Sequence, residues 1–268
     1  MGKQLLEAAQ FRIELEEGLH IDGDVRTFRD GIAKPALIIG HGFRGHKDWG
    51  FWPDIAGRFA ERGFYTVIFN FSRIAAQAAD PDGSRAAEAS TVSREIADWE
   101  AVADVLLHED LPLAASEADT SRLSLLGHSR AGTTGILFAA GQPAVQALIV
   151  WNGGGSPNRP VAEDGRSLSP REQAIIGDLD RNADRFDVKR AFAGLSIPAL
   201  VLQGEQDNAR LLEHNRELRK TASWQNFGYI PGADHAFGAS EPYEGATAEL
   251  EQAFEASASF LRFALPKA

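Results

Sequence analysis

Phe11, Ile13 and Leu15 alternate with Arg12, Glu14 and Glu16, the period-two pattern of a strand with one face on a core. Glu17-Gly18 supplies a turn, and residues 21–28 return as an antiparallel partner. Asp30-Gly31 turns the chain again. The run Ala36-Leu37-Ile38-Ile39 has no polar position, as expected of a strand covered on both faces. Past Gly40-His41-Gly42 the period changes. Lys47-Asp48 marks a helix start with Asp48 as its cap, Phe51, Ile55 and Phe59 recur at helical spacing, and Gly63 closes the helix. Residues 64–71 form another buried strand. Residues 75–90, rich in Ala, Asp, Gly and Ser, read as a loop, and Ile96, Trp99, Val102, Val105 and Leu106 make the stripe of an amphipathic helix.

The alternation of strand and helix continues. Leu123-Ser124-Leu125-Leu126 is a strand, Ile136, Leu137, Ala139 and Ala140 belong to a helix, and residues 147–151 are the next strand. Residues 153–194 differ in kind: they are polar, dense in both charge signs, and helical in the middle. A stretch this long between two core strands is expected to be a cap or lid inserted in a single domain spanning 1–268. Residues 197–203 resume the buried-strand pattern, Leu211, Leu212 and Leu218 mark a helix, 227–230 a last strand, and Leu250, Ala253, Phe254 and Leu261 a closing helix. The expected fold class is α/β, a mostly parallel, doubly wound sheet.

The chain has 268 residues, 44% hydrophobic and 24% charged, enough for one α/β domain with a sizeable core. It has no cysteine, which excludes a disulfide framework, a thiolate nucleophile and a cysteine metal site. The net charge of −11 speaks against nucleic acid or an anionic membrane as partner. No apolar run approaches the roughly 20 residues that span a bilayer. The first residues lack the apolar stretch of a signal peptide, so a cytoplasmic location is expected. The sequence leaves a homo-oligomer open.

The chemistry gathers where an apolar strand ends on Gly127-His128-Ser129-Arg130-Ala131-Gly132. A serine on a tight turn between strand and helix needs minimal side chains around it, and Gly127, Ala131 and Gly132 fill those places. A serine hydroxyl is a weak nucleophile until a base takes its proton, and the base needs an orienting acid. Beyond Ser129 there are two histidines. His214 falls on a charged helix face and reads as a solvated surface residue. His235, in Pro231-Gly232-Ala233-Asp234-His235, follows a strand in a loop of small residues and is the candidate base.

For the acid, Gly204-Glu205-Gln206-Asp207 follows a strand; Asp207 is further past its end and is preferred to Glu205. The plainer reading of Asp207 is an Asx-turn or helix cap. Asp234 beside His235 is a weaker alternative. Oxyanion donors are expected from the backbone N–H of Arg130 and, in the glycine loop His41-Gly42-Phe43-Arg44-Gly45, from that of Phe43. Gly42 lets the backbone approach a ligand. Trp49 and Trp52 could line a substrate pocket, or pack a helix end on the sheet. The Arg130 side chain reads as a structural ion pair or a partner for a substrate carboxylate.

Together, residues 41–49, Phe69-Asn70-Phe71-Ser72 and the segments around Ser129, Asp207 and His235 resemble the α/β-hydrolase superfamily. The similarity is to its small bacterial serine esterases, related to feruloyl esterases and dienelactone-hydrolase-like proteins. That resemblance implies an eight-stranded sheet with one antiparallel strand near its start. It implies ester hydrolysis through an acyl-enzyme on a small-molecule substrate, with no cofactor and no metal. It assigns Ser129, Asp207 and His235 as triad and Phe43 and Arg130 as oxyanion donors. Two departures bear on specificity. Arg73-Ile74-Ala75 follows Phe71-Ser72 where such relatives carry polar and glycine residues, and Asn208-Ala209-Arg210 follows Asp207. Dienelactone hydrolases proper use a cysteine nucleophile, which this chain lacks. The alternative functions are an amidase or small-peptide hydrolase, an acyltransferase on the same triad, and a non-catalytic ligand receptor.

Overall fold

A computed structural model describes residues 5–81, 83–162 and 166–267. Its centre is one eight-stranded sheet in the order β1-β2-β4-β3-β5-β6-β7-β8. The strands are β1 (Leu6–Glu14), β2 (His20–Phe28), β3 (Lys34–Gly40), β4 (Tyr65–Phe69), β5 (Ala118–His128), β6 (Val145–Trp151), β7 (Ala199–Gly204) and β8 (Asn226–Ile230). β2 pairs antiparallel with both β1 and β4, and the pairs from β4 through β8 are parallel. β1 runs five residues earlier than the Phe11 alternation indicates. It is an edge strand, and its first residues pair with β2 while facing solvent, so no apolar period marks them.

The helices are α1 (Trp52–Glu61), α2 (Arg73–Ala79), α3 (Ser84–Glu88), α4 (Val92–Leu107), α5 (Arg130–Gly141), α6 (Pro170–Arg181), α7 (Val188–Ala193), α8 (Ala209–Thr221) and α9 (Ala248–Ala264). The middles of the central strands are mostly apolar on both faces because both faces are covered. Ala36 and Ile38 of β3 join one core with Trp99, Val102, Ile136 and Phe192, on the side of α4, α5 and α7. Leu37 and Ile39 join the other with Phe51, Trp52, Phe59, Phe254 and Leu261, on the side of α1 and α9.

Two readings of the sequence change. The 75–90 stretch is not a loop but holds α2 and α3. Its alanines favour helix, and Ala76, Ala86 and Ala89 bury a small cluster with Leu19. Asp48 caps nothing: α1 begins at Trp52, and the Asp48 carboxylate instead accepts from Lys47 Nζ at 2.8 Å, which also reaches Asp24 at 3.1 Å. The described residues of the 153–194 stretch hold two helices. Its last part carries α7, whose Val188 and Phe192 are buried in the main core. Its middle carries α6, started by a capping box between Ser169 and Glu172 and fixed to α4 by buried Asp178, which accepts from the Ser93 N–H at 3.0 Å.

Phe254 is 1% exposed, meets Phe59 at 4.9 Å between ring centroids, and lies 3.9 Å under the Arg58 guanidinium. Phe254→Ala should lower unfolding free energy by roughly 3–5 kcal/mol, read as an earlier urea midpoint with little change in slope.

Candidate active site

β5 lies in mid-sheet between β3 and β6, and Ser129 follows its last residue. Ser129 has φ 56° and ψ −120°, a left-handed backbone that L side chains rarely take. Its N–H donates to the Trp151 carbonyl at 2.8 Å, and its own carbonyl accepts from the Gly132 N–H at 3.0 Å in the first turn of α5. The packing leaves no room for side chains. A Cβ at Gly127 would fall 2.3 Å from the Ala131 carbonyl oxygen, and one at Gly132 2.7 Å from Val150 Cγ1.

Asp207 and His235 lie in the loops beyond β7 and β8. His235 Nε2 is 2.9 Å from Ser129 Oγ, and its Nδ1 is 3.0 Å from Asp207 Oδ2 and 3.1 Å from Oδ1. A carboxylate only accepts, so Nδ1 carries the proton and Nε2 is left as acceptor for the serine hydroxyl. The imidazole is 42% exposed while the Asp207 side chain is 1% exposed. Burial pushes the Asp207 carboxyl up, but His235, the Asn208 N–H and Gln203 Nε2 outweigh it and hold it below its usual value. Glu205 is exposed on the same turn. Asp234 does not orient His235: its Oδ1 accepts from the N–H groups of Ala236 and Gly238 and builds the turn. His214 is not a solvated residue. It is half-buried against Gly155, and burial lowers its pKa.

Two supporting residues carry no motif of their own. Asn152, fully buried at φ 46°, donates from Nδ2 to the carbonyls of Asp234 and His235 at 3.2 and 3.0 Å. Its Oδ1 accepts from Gln203 Nε2 and the Gly204 N–H. His128 Nε2 donates to the same His235 carbonyl at 2.8 Å. The available signals were slight: an Asn tolerant of positive φ at a strand end, and a histidine closing an apolar strand.

The Gly42 backbone passes close to the serine; a Cβ there would lie 3.2 Å from Ser129 Cβ. The Phe43 N–H is the next donor along that loop. Arg130 opens α5, so its N–H has no partner one turn back in the helix. Trp52 is 1% exposed and stacked on Trp151 at 5.9 Å, so most of it is core. Trp49 is half-buried. Both border the cavity of about 1160 Å³ into which Ser129 and His235 open, as does Gly42. The cavity lining also includes Pro157, Val161 and Ile175 from the stretch after β6. Among the described residues no cluster of His, Asp and Glu could hold a metal ion, and no helix is long and apolar enough to cross a membrane.

The sequence model of the dienelactone hydrolase family matches residues 24–265. The chain belongs to the dienelactone hydrolase family. No curated protein matches it significantly. Among solved structures, Est1E from Butyrivibrio proteoclasticus superposes with a TM-score of 0.67 at 20% identity, over 94% of this chain and 97% of that one. A dienelactone hydrolase from Anabaena variabilis ATCC 29413 gives 0.67 at 15% identity, over 97% and 99%. A puromycin-hydrolyzing peptidase from Mycobacterium tuberculosis gives 0.66 at 16%, over 97% of this chain but 40% of that one. These likenesses establish the α/β-hydrolase fold, and the family establishes a hydrolase.

Two measurements follow from the site. Asp207→Asn should lower turnover by roughly 10³–10⁴-fold by removing the carboxylate that selects the His235 tautomer, while exposed Glu205→Gln changes it little. The reverse ranking would move the acid to Glu205. His128 is neutral in the fold, its pKa lowered by burial from 6.5 to about 3. Below pH 6.5 the unfolded chain takes up a proton there and the folded chain does not, so stability falls with pH until about 3. His128→Gln should therefore flatten the acid limb of stability against pH by up to about 1.4 kcal/mol per pH unit, measured by urea unfolding.

Proposed function

We propose that this protein hydrolyses carboxylic esters through an acyl-enzyme on Ser129. The observation that carries the reading is the unbroken hydrogen-bond succession from Ser129 through His235 to Asp207, opening on a cavity. His235 takes the hydroxyl proton as Ser129 Oγ bonds to the ester carbonyl carbon. The carbonyl oxygen becomes an oxyanion facing the N–H groups of Phe43 and Arg130. Collapse breaks the bond to the leaving alcohol, which receives the proton from His235. Water then repeats the cycle on the acyl-enzyme, releasing the acid and restoring Ser129. Asp207 holds the imidazole and stabilises its charged form.

In the same reading residues 1–268 act as one hydrolase domain, and 153–194 is its cap insertion. Pro157, Val161 and Ile175 support this, since they line the cavity into which Ser129 opens. Trp49 and Phe43 offer an aromatic wall to the acyl group. Est1E has been seen with ferulic acid bound, which adds weight to an acyl group of aromatic size.

The test is turnover of short-chain and aromatic aryl esters beside a matched aryl amide. Ester turnover should appear and fall by at least roughly 10³-fold in Ser129→Ala, with the amide slower in both proteins. Equal ester rates in the two proteins would reject Ser129 as nucleophile. Faster amide than ester turnover would make the protein an amidase, and binding without turnover a receptor.

A further inference from the structure

The departure after Phe71-Ser72 places a charged residue in the interior. Arg73 opens α2 with its side chain 1% exposed. Its Nη2 donates to the Gly42 carbonyl at 2.9 Å. That oxygen is also 2.8 Å from His41 Nδ1 and accepts from the Gly45 N–H at 3.1 Å. His41 is fully buried and held neutral by burial and by the nearby Arg73 charge, so its Nδ1 carries a proton for this bond. Three donors therefore converge on one carbonyl. In a trans peptide the C=O of one residue and the N–H of the next point to opposite sides. Holding the Gly42 oxygen toward Arg73 thus turns the Phe43 N–H the other way, on a backbone so near Ser129 that a Cβ at Gly42 would lie 3.2 Å from the serine Cβ.

The second donor residue is tied to the same group. Glu95, 1% exposed on α4, has Oε1 3.5 Å from Arg73 Nε and 3.0 Å from Arg130 Nε. Both guanidinium groups lie over the Phe43 ring, Arg73 at 5.0 Å and Arg130 at 4.5 Å. Two cations sharing one buried carboxylate leave a net positive charge behind the peptide that would meet the oxyanion. Burial lowers the Arg73 pKa only to about 10, so it is charged at neutral pH.

We propose that Arg73, held by Glu95, is a positioning residue for the oxyanion site: it orients the Gly42–Phe43 peptide and polarises the Phe43 N–H. The inference rests on Ser129 being the nucleophile. A cation bonded to a peptide carbonyl strengthens the N–H of that peptide as a donor. Arg73 touches neither substrate nor the reacting atoms, so its effect belongs to the transition state rather than to substrate binding.

The test compares Arg73→Met, Arg73→Lys and Glu95→Gln with the parent on one aryl ester, with thermal unfolding of each. It adds inhibition by phenylboronic acid, which becomes tetrahedral on a serine oxygen and sets an oxygen where the oxyanion would form. In folded Arg73→Met, kcat should fall roughly 10–10²-fold with KM changed by less than about threefold. Boronate affinity should fall by the same factor as kcat/KM, and Arg73→Lys, which keeps a charged donor, should recover part of both. If Arg73→Met does not fold, Arg73→Lys and Glu95→Gln carry the comparison with the same split expected. Unchanged kcat and boronate affinity in a folded variant would overturn the proposal, as would a rise in KM with kcat intact. A parent without Ser129-dependent turnover would instead remove the esterase reading, an outcome visible before any Arg73 variant is assayed.

Discussion

A serine bent into the left-handed region at the end of a mid-sheet strand is the constraint the rest of the structure answers to. Holding Ser129 at φ 56° costs on the order of 1–2 kcal/mol, and it persists only because its neighbours leave it no alternative. Its N–H is taken by the Trp151 carbonyl of the adjacent strand, and its carbonyl by the first turn of α5. For both bonds to form, three backbones must nearly touch. A Cβ at Gly127 would strike Ala131, and one at Gly153 would fall 2.3 Å from the Ser129 carbonyl oxygen. Trp99 and Ile136 on one face, and Trp52 and Trp151 on the other, supply the burial that keeps strand and helix pressed together.

Register then does the work of assembly. Parallel pairing sets His128 beside Trp151, Trp151 beside Leu202, and Gly204 beside Ile230. The loops beyond these strands leave the sheet along one edge, side by side, so residues far apart in sequence meet without a long excursion. Asn152 converts this neighbourhood into fixed distances. Its amide spans from the β7 end, through Gln203 and Gly204, to the carbonyls of Asp234 and His235. Gln203 in turn donates to Asp207, so Asp207 and the loop of His235 are held by one connected set of hydrogen bonds.

The fold was largely legible because its signals are local. The apolar runs at 36–39, 123–126 and 147–151 can only be strands covered on both faces, and the helical stripes between them fix the class. The serine was legible for the same reason, since a strained turn demands small residues at fixed offsets. What could not be read was whatever depends on distant partners. Residues 75–90 have loop-like composition, and only the pocket beside Leu19 turns their alanines inward as α2 and α3. His214 has a charged sequence context, yet the chain at Gly155 folds over it. Asn152 and His128 act through the carbonyl of His235, 83 and 107 residues away, and no spacing announces such a bond.

The distribution of buried polar atoms separates what serves the fold from what does not. At the amino end of β3, Lys34 is buried but bonds Asp30, Glu117 and the Ile32 carbonyl, a closed and satisfied cluster. Around the serine, satisfied groups such as Asn152 and Asp207 stand beside others that are not aligned for a hydrogen bond. Of twelve buried side-chain atoms without an aligned hydrogen-bond partner among the described residues, seven belong to His41, Arg73, Glu95, Arg130 and Gln203. Apolar side chains of similar volume would fill such places at no loss of stability, and often at a gain, because buried charges give up their hydration. Cohesion therefore does not explain charges at this edge of the sheet. What they share is an orienting contact with a backbone or side chain next to Ser129: the Gly42 carbonyl for His41 and Arg73, the Asp207 carboxylate for Gln203, and the start of α5 for Glu95 through Arg130. Buried ion pairs that sit off hydrogen-bonding alignment, such as Glu95 with Arg73 and Arg130, hold geometry beside Ser129 at the expense of cohesion.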